Sequence, residues 1–150
     1  MISPEILRRY PYFAAAQDQG LRDLAMLCEE ESIPAGTVMY REGDKADKFY
    51  ILVEGEVDIQ YTLGSGELRT VDTIVPGELM LWSALVEPFK STATGTVRKE
   101  RSAKMISIEG KKLRQLCESN HDLGYRMLIS ITSLLATRLE GARVQLATVD

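Results

Sequence analysis

The sequence holds one histidine and two cysteines among 150 residues. A histidine-built metal centre needs two or three imidazoles beside a carboxylate, and an iron–sulfur cluster needs four thiolates, so neither is expected. The one histidine, His121, stands at a helix start and is assigned to capping or to the surface; a haem with that single axial ligand has no local support. Positive charge is also short. The 18 Lys and Arg face 22 Asp and Glu, for a net charge of −4. The cations are scattered as Arg8-Arg9, Arg98-Lys99 and Lys111-Lys112, a solvated surface pattern rather than the clustered face that nucleic acid demands. Apolar runs are too short to span a bilayer, and no charged-then-apolar signal opens the chain. A cytoplasmic protein without a membrane partner is expected. No nucleophile stands at a recognisable spacing from a base, so no catalytic residue is assigned.

What remains is an ordinary globular composition, 45% apolar and 27% charged, at a length that suits one domain with a buried core. Cys28 and Cys117 lie far apart in segments of helical pattern and read as buried thiols, a disulfide having no support. Ser3-Pro4-Glu5 has the form of a helix start, with Ser3 as cap, and predicts a short helix over Glu5–Tyr10. Asp18 caps a second helix, whose apolar stripe is Leu21, Leu24, Ala25 and Cys28. From Ile33 the pattern changes to short strands with turn signals between them: Thr37–Tyr40, Phe49–Val53, an alternating strand through Val57, Ile59 and Tyr61, and Leu68–Val75 beyond a Gly64-Ser65-Gly66 tip. Thr92–Val97 and Lys104–Ile108 follow. Helical patterns return over Glu109–Cys117, with Leu113, Leu116 and Cys117 inward, and again from Asn120–Asp122 to about Leu146. The expected organisation is one domain over 1–150: helices over about 3–30, strands over about 31–108, helices over about 109–146. The fold class is α+β, an antiparallel β-roll or jelly-roll (a double-stranded β-helix) with helices at both ends of the chain.

Four strings then carry a resemblance: RRYPYFAAA (8–16), PAGTVMYREGDKADKFYILVEGEVDI (34–59), PGE (76–78) and ISIEGKKLRQL (106–116). Over about Leu7–Leu146 the chain resembles the cyclic nucleotide-binding domain of the catabolite-activator and protein-kinase-regulatory type. Gly36, Gly43 and Gly55 fall at its turns, with Asp44 and Asp47 beside the second. The resemblance implies a phosphate-binding cassette between two strands. A Gly-Glu pair on a short helix there accepts the ribose hydroxyl, and an arginine nine or ten residues later meets the cyclic phosphate.

The stretch PGELMLWSALVEPFKSTATGTV (76–97) lies where that cassette belongs. Pro76-Gly77-Glu78 aligns as the turn before it, which puts Leu81-Trp82 in place of the Gly-Glu pair and Ser83-Ala84-Leu85 in the short helix. Counting back from Val97 puts Ala93 where the arginine would stand. The pocket residues implied are Leu81, Trp82, Ser83, Ala84, Lys90, Ser91, Thr92, Ala93 and Thr94, with Arg143 from the last helix as a substitute charge or a solvated arginine. Thr92, Thr94 and Thr96 are expected on one strand face, and Ser91, Ala93 and Gly95 on the other. Those small residues either leave room for a ligand or let Trp82 pack close. Trp82 is either a filler or a stacking platform, and the threonines are either strand formers or ligands.

The final helix is apolar more broadly than a single buried stripe requires. It is expected either to pair two subunits through Leu128, Ile131, Leu135, Leu139 and Ala142, or to be one buried helix. A helix-turn-helix segment does not follow it, so direct DNA binding is not expected. Two functions are carried forward. One is a regulatory or sensor module with weak or no classical cyclic AMP or cyclic GMP binding, taking such a nucleotide or another small molecule. The other is a ligand-free structural or interaction module, with an unknown protein partner.

Overall fold

The computed structural model describes residues 1–149. In chain order it has helices α1 (Pro4–Leu7) and α2 (Asp18–Leu27), then strands β1 (Cys28–Ile33), β2 (Val38–Tyr40), β3 (Lys48–Glu54), β4 (Val57–Thr62), β5 (Leu68–Ile74) and β6 (Leu79–Met80). A 3₁₀ turn (Trp82–Leu85) follows, then β7 (Thr94–Val97), β8 (Ala103–Glu109), α3 (Gly110–Ser119) and α4 (His121–Ala147). The chain divides into two compact units, Met1–Ile2 with Met26–Gln115, and Ser3–Ala25 with the residues from Leu116 onward.

The first unit is an antiparallel roll of two four-stranded sheets, ordered β1-β8-β3-β6 and β2-β7-β4-β5. In the first sheet Phe49 faces Ile108 and Ile51 faces Ile106, all four buried. In the second, Val57 opposes both Ile74 and Val97, and all three are buried. The alternation expected of β4 fades toward the hairpin tip, where Tyr61 is exposed. β3 ends in a bulge at Leu52–Glu54, and the chain reverses at Gly55. Gly55 takes φ +95°, and a Cβ there would lie 2.9 Å from the Ala103 Cα, so both conformation and space require glycine.

Several boundaries differ from expectation. α1 ends at Leu7 rather than Tyr10, and Ser3 occupies the cap position without a side-chain bond. Cys28 does not belong to the α2 stripe; it opens β1, made of Cys-Glu-Glu-Glu-Ser-Ile. Three consecutive glutamates are poor strand formers, but six residues in register with β8, from Cys28 opposite Ile108 to Ile33 opposite Ala103, override that preference. Both cysteines are free thiols.

In the second unit Arg8 ties together the connection into α2. Its guanidinium donates to the Ala16 carbonyl at 3.0 Å and to Asp18 at 2.8 Å. Leu7, Phe13, Leu21 and Leu24 are buried. Asn120 caps α4 by accepting from the Leu123 amide at 3.1 Å, as its position predicts, and His121 follows it, exposed.

Candidate functional site

The stretch 76–97 is fastened at its start. The Gly77 amide donates to the Leu52 carbonyl at 2.8 Å, and the Leu52 amide donates to the Glu78 carbonyl at 2.9 Å. The Glu78 carboxylate accepts from the Val75 amide at 2.9 Å, which spends it inside its own turn. β6 then pairs with β3, and Leu81 turns the chain with φ 60°, a left-handed value that residues carrying a Cβ disfavour. Beyond it Ser83 and Ala84 are buried, while Trp82 and Leu85 are half-buried.

The second half is fastened to the turn at 41–46. The Ser91 amide donates to the Asp44 carbonyl at 2.7 Å, and the Gly43 amide donates to the Ser91 carbonyl at 2.8 Å. The buried Ser91 hydroxyl donates to the Ala93 carbonyl and accepts from the Ala93 amide. Thr94 Oγ1, also buried, accepts from the Glu42 amide at 3.1 Å. Thr96 Oγ1 donates to Gln60 at 2.9 Å. Thr92 lies outside the strand and is exposed, so the expected alternation begins at Thr94 rather than Thr92.

Leu81 precedes the 3₁₀ turn that holds Trp82, Ser83 and Ala84, whereas Ser91 and Ala93 precede β7 and Thr94 opens it; Lys90 is exposed. Lys90 is the one cation in 76–97. Arg143 lies on α4 in the second unit and is exposed. The face of small residues is explained differently from either expectation. A Cβ on Gly95 would lie 2.6 Å from Tyr40 Cε1 and 2.7 Å from its hydroxyl oxygen, so Tyr40, not Trp82, covers that position. Tyr40 is a residue that sequence reasoning missed. The available signal was a glycine inside a threonine-rich strand, which marks close approach of another group.

Two more residues bear on the stretch without having been foreseen. Phe89 also adopts a left-handed φ, 58°, and the Arg114 guanidinium of α3 lies 4.0 Å above its ring. Arg114 Nη1 also donates to the Ala84 carbonyl. Gly110 permits this docking, since a Cβ there would come within 3.0 Å of the Ala84 oxygen and 3.2 Å of the Asp47 oxygen. Among the described residues no group of three or more His, Cys, Asp or Glu side chains could hold a metal.

The stretch runs from β6 through the 3₁₀ turn to β7, with α3 docked on it through Gly110 and Arg114, and comparison with known proteins shows the family in which this roll occurs. The model of the cyclic nucleotide-binding domain matches residues 30–120. The chain belongs to the cyclic nucleotide-binding domain family. A candidate cyclic nucleotide-binding protein from Geobacter metallireducens GS-15 is 34% identical with a TM-score of 0.81, over 93% of this chain and 99% of that one. The sensor domain of the transcriptional regulator DNR from Pseudomonas aeruginosa shares the fold, with a TM-score of 0.72 at 17% identity over 91% of this chain and 90% of that one. A CRP-like cAMP-activated global transcriptional regulator of Mycobacterium tuberculosis is 23% identical, over 95% of this chain. The chain spans 61% of that regulator's length. The matched domain is of the regulatory, non-catalytic kind.

Proposed function

We propose that this chain is a regulatory module of the cyclic nucleotide-binding family that holds classical cyclic AMP or cyclic GMP weakly or not at all, and that it passes its signal through contacts between copies of itself. The carrying observation is that three hydroxyls of 91–97 are already engaged within the chain. Ser91 is bonded to Ala93, Thr94 to Glu42 and Thr96 to Gln60. No residue from 91 to 97 is basic, so no arginine reaches a phosphate wherever in that span the alignment places it. Losing one charge-assisted bond to an anion costs about 1.5–3 kcal/mol, on the order of tenfold to a hundredfold in affinity. Exposed Lys90 supplies a point charge on a flexible stem, without the planar fork of arginine.

The close fit of Tyr40 against Gly95 favours the second reading, a module whose interior is filled by its own side chains. Isothermal titration with cyclic AMP and cyclic GMP tests both readings. No saturable heat in the micromolar range is expected from either nucleotide, and a micromolar or tighter Kd would overturn the proposal. A submillimolar response to another small molecule would favour the sensor over the filled module.

Contacts between copies are supported by α4. Tyr125, Leu128, Thr132, Leu135, Leu139, Ala142 and Leu146 recur at alternating steps of three and four, the period of a two-stranded coiled-coil seam. Tyr125, Leu128, Leu139, Ala142 and Leu146 are exposed, and Leu135 is half-buried. Ile131 was expected on this face but is buried in its own chain at 4% exposure, and is not available to a partner.

A further inference from the structure

Within the first unit a concavity of about 420 Å³ is lined by residues outside β7, and its lining is cationic. Four cations, Lys45, Lys48, Lys111 and Arg114, stand there against two carboxylates, Asp47 and Glu109. The ion pairs leave this excess uncompensated. Asp47 meets Lys45 at 3.6 Å, and Glu109 meets Lys112, which is outside the lining, at 3.4 Å. Lys48 meets Glu31, also outside the lining, at 3.4 Å. Among the described residues Lys111 and Arg114 have no carboxylate partner, so the locus carries two uncompensated positive charges in a chain of net charge −4.

We propose that this cavity is a binding site for a small, multiply charged anion, phosphorylated or polycarboxylate, with Lys111 and Arg114 as its principal contacts. Arg114 uses one guanidinium nitrogen on the Ala84 carbonyl and lays its face on Phe89, which fixes the plane of the group. An arginine has five N–H donors in a rigid fork, so donors remain for a bidentate hold on an anion, already oriented. α3 starts at Gly110, between the lining residues Glu109 and Lys111, and the positive end of its dipole adds to the field there. The volume is that of a small-molecule pocket, larger than one phosphate group fills.

Occupation also acts on the 3₁₀ turn. Residues 81–89 run between two left-handed positions, Leu81 at φ 60° and Phe89 at φ 58°, and Arg114 holds the segment at Ala84 and Phe89. An anion that draws on Arg114 therefore competes with the contacts that keep this segment in place.

The test is an amide NMR titration of the whole chain with sodium pyrophosphate and, separately, with citrate, each against sodium chloride of matched ionic strength. Saturable shifts are expected in the amides of 45–48 and 109–114, followed by those of 82–89, with a submillimolar Kd. Lys111→Ala should weaken binding by about tenfold, as loss of one charge-assisted contact implies. Lys99→Ala, an exposed cation elsewhere, should leave it unchanged. Response to pyrophosphate alone, to citrate alone or to both assigns the ligand as phosphorylated, as polycarboxylate or as selected by charge; each supports the site. Shifts that do not saturate, that spread over the surface, or that respond equally to Lys111→Ala and Lys99→Ala would overturn it.

Discussion

At Gly95 a side chain is absent because Tyr40 occupies its place. A methyl group at position 95 must displace an aromatic ring that is itself buried, so Gly95→Ala is expected to lose about 1–3 kcal/mol of stability through overpacking. Combining it with Tyr40→Val should recover much of that loss, since the ring is what the methyl meets; urea denaturation of the two single variants and the double measures the coupling. Ionisation gives a second prediction at this scale. Burial pushes the Cys28 thiol up from 9.0 to about 12, and burial together with the Glu31 carboxylate raises Tyr50 from 10.0 to about 12. In both cases the fold favours the neutral form. The contribution is intact below the unfolded value and is lost as pH climbs toward the folded one. Stability should therefore be level through neutral pH and fall above about pH 9. The urea midpoint plotted against pH should fall less steeply in Tyr50→Phe with Cys28→Ala. An unchanged slope would assign the alkaline loss to general charge repulsion instead.

Among the elements, those written in period and turn chemistry were legible in the sequence, and those set by distant partners were not. The β4–β5 hairpin, β8 and the Asn120 cap follow from alternation, glycine turns and a capping amide. β1 does not, because its six residues are strand only by virtue of β8, some 75 residues later in the chain. Within 76–97 the strand at 94–97 follows from its alternation, whereas the short β6 pairs only by virtue of β3; Tyr40 and Arg114, which pack on the stretch, come from β2 and α3, and no local spacing connects them. Gly110 of α3 and Gly141 of α4 give a prediction that sets propensity against packing. Alanine is favoured over glycine in a helix by up to about 1 kcal/mol, and at Gly141, where a Cβ meets nothing within 4 Å, Gly141→Ala should gain roughly that amount. At Gly110 the same change meets the Ala84 and Asp47 oxygens, which are backbone and yield little. There Gly110→Ala should be net destabilising by about 1–2 kcal/mol. Thermal denaturation of the two variants side by side should shift Tm in opposite directions.

For the molecule as a whole, the proposed contact between copies rests on α4. Its 27 residues run on the order of 40 Å at 1.5 Å per residue. A surface helix that packs on one side only needs one apolar stripe, and α4 has two. Leu123, Met127 and Ile131 are buried within the chain, while Leu128, Leu139 and Leu146 are exposed on another face. Exposed leucines at coiled-coil spacing are costly unless covered, and in the proposed two-fold pair each copy would cover the exposed stripe of the other with the same residues. Sedimentation velocity should accordingly show a dimer of about 34 kDa, twice the 16.8 kDa chain. Leu135→Asp with Leu139→Asp should convert it to monomer while the amide spectrum of the β-roll is retained, because neither residue belongs to the roll unit. Ile131→Asp should instead unfold the chain locally, since that side chain is buried in its own unit. A wild-type monomer, or a dimer indifferent to the Leu135 and Leu139 changes, would overturn the proposed role of α4.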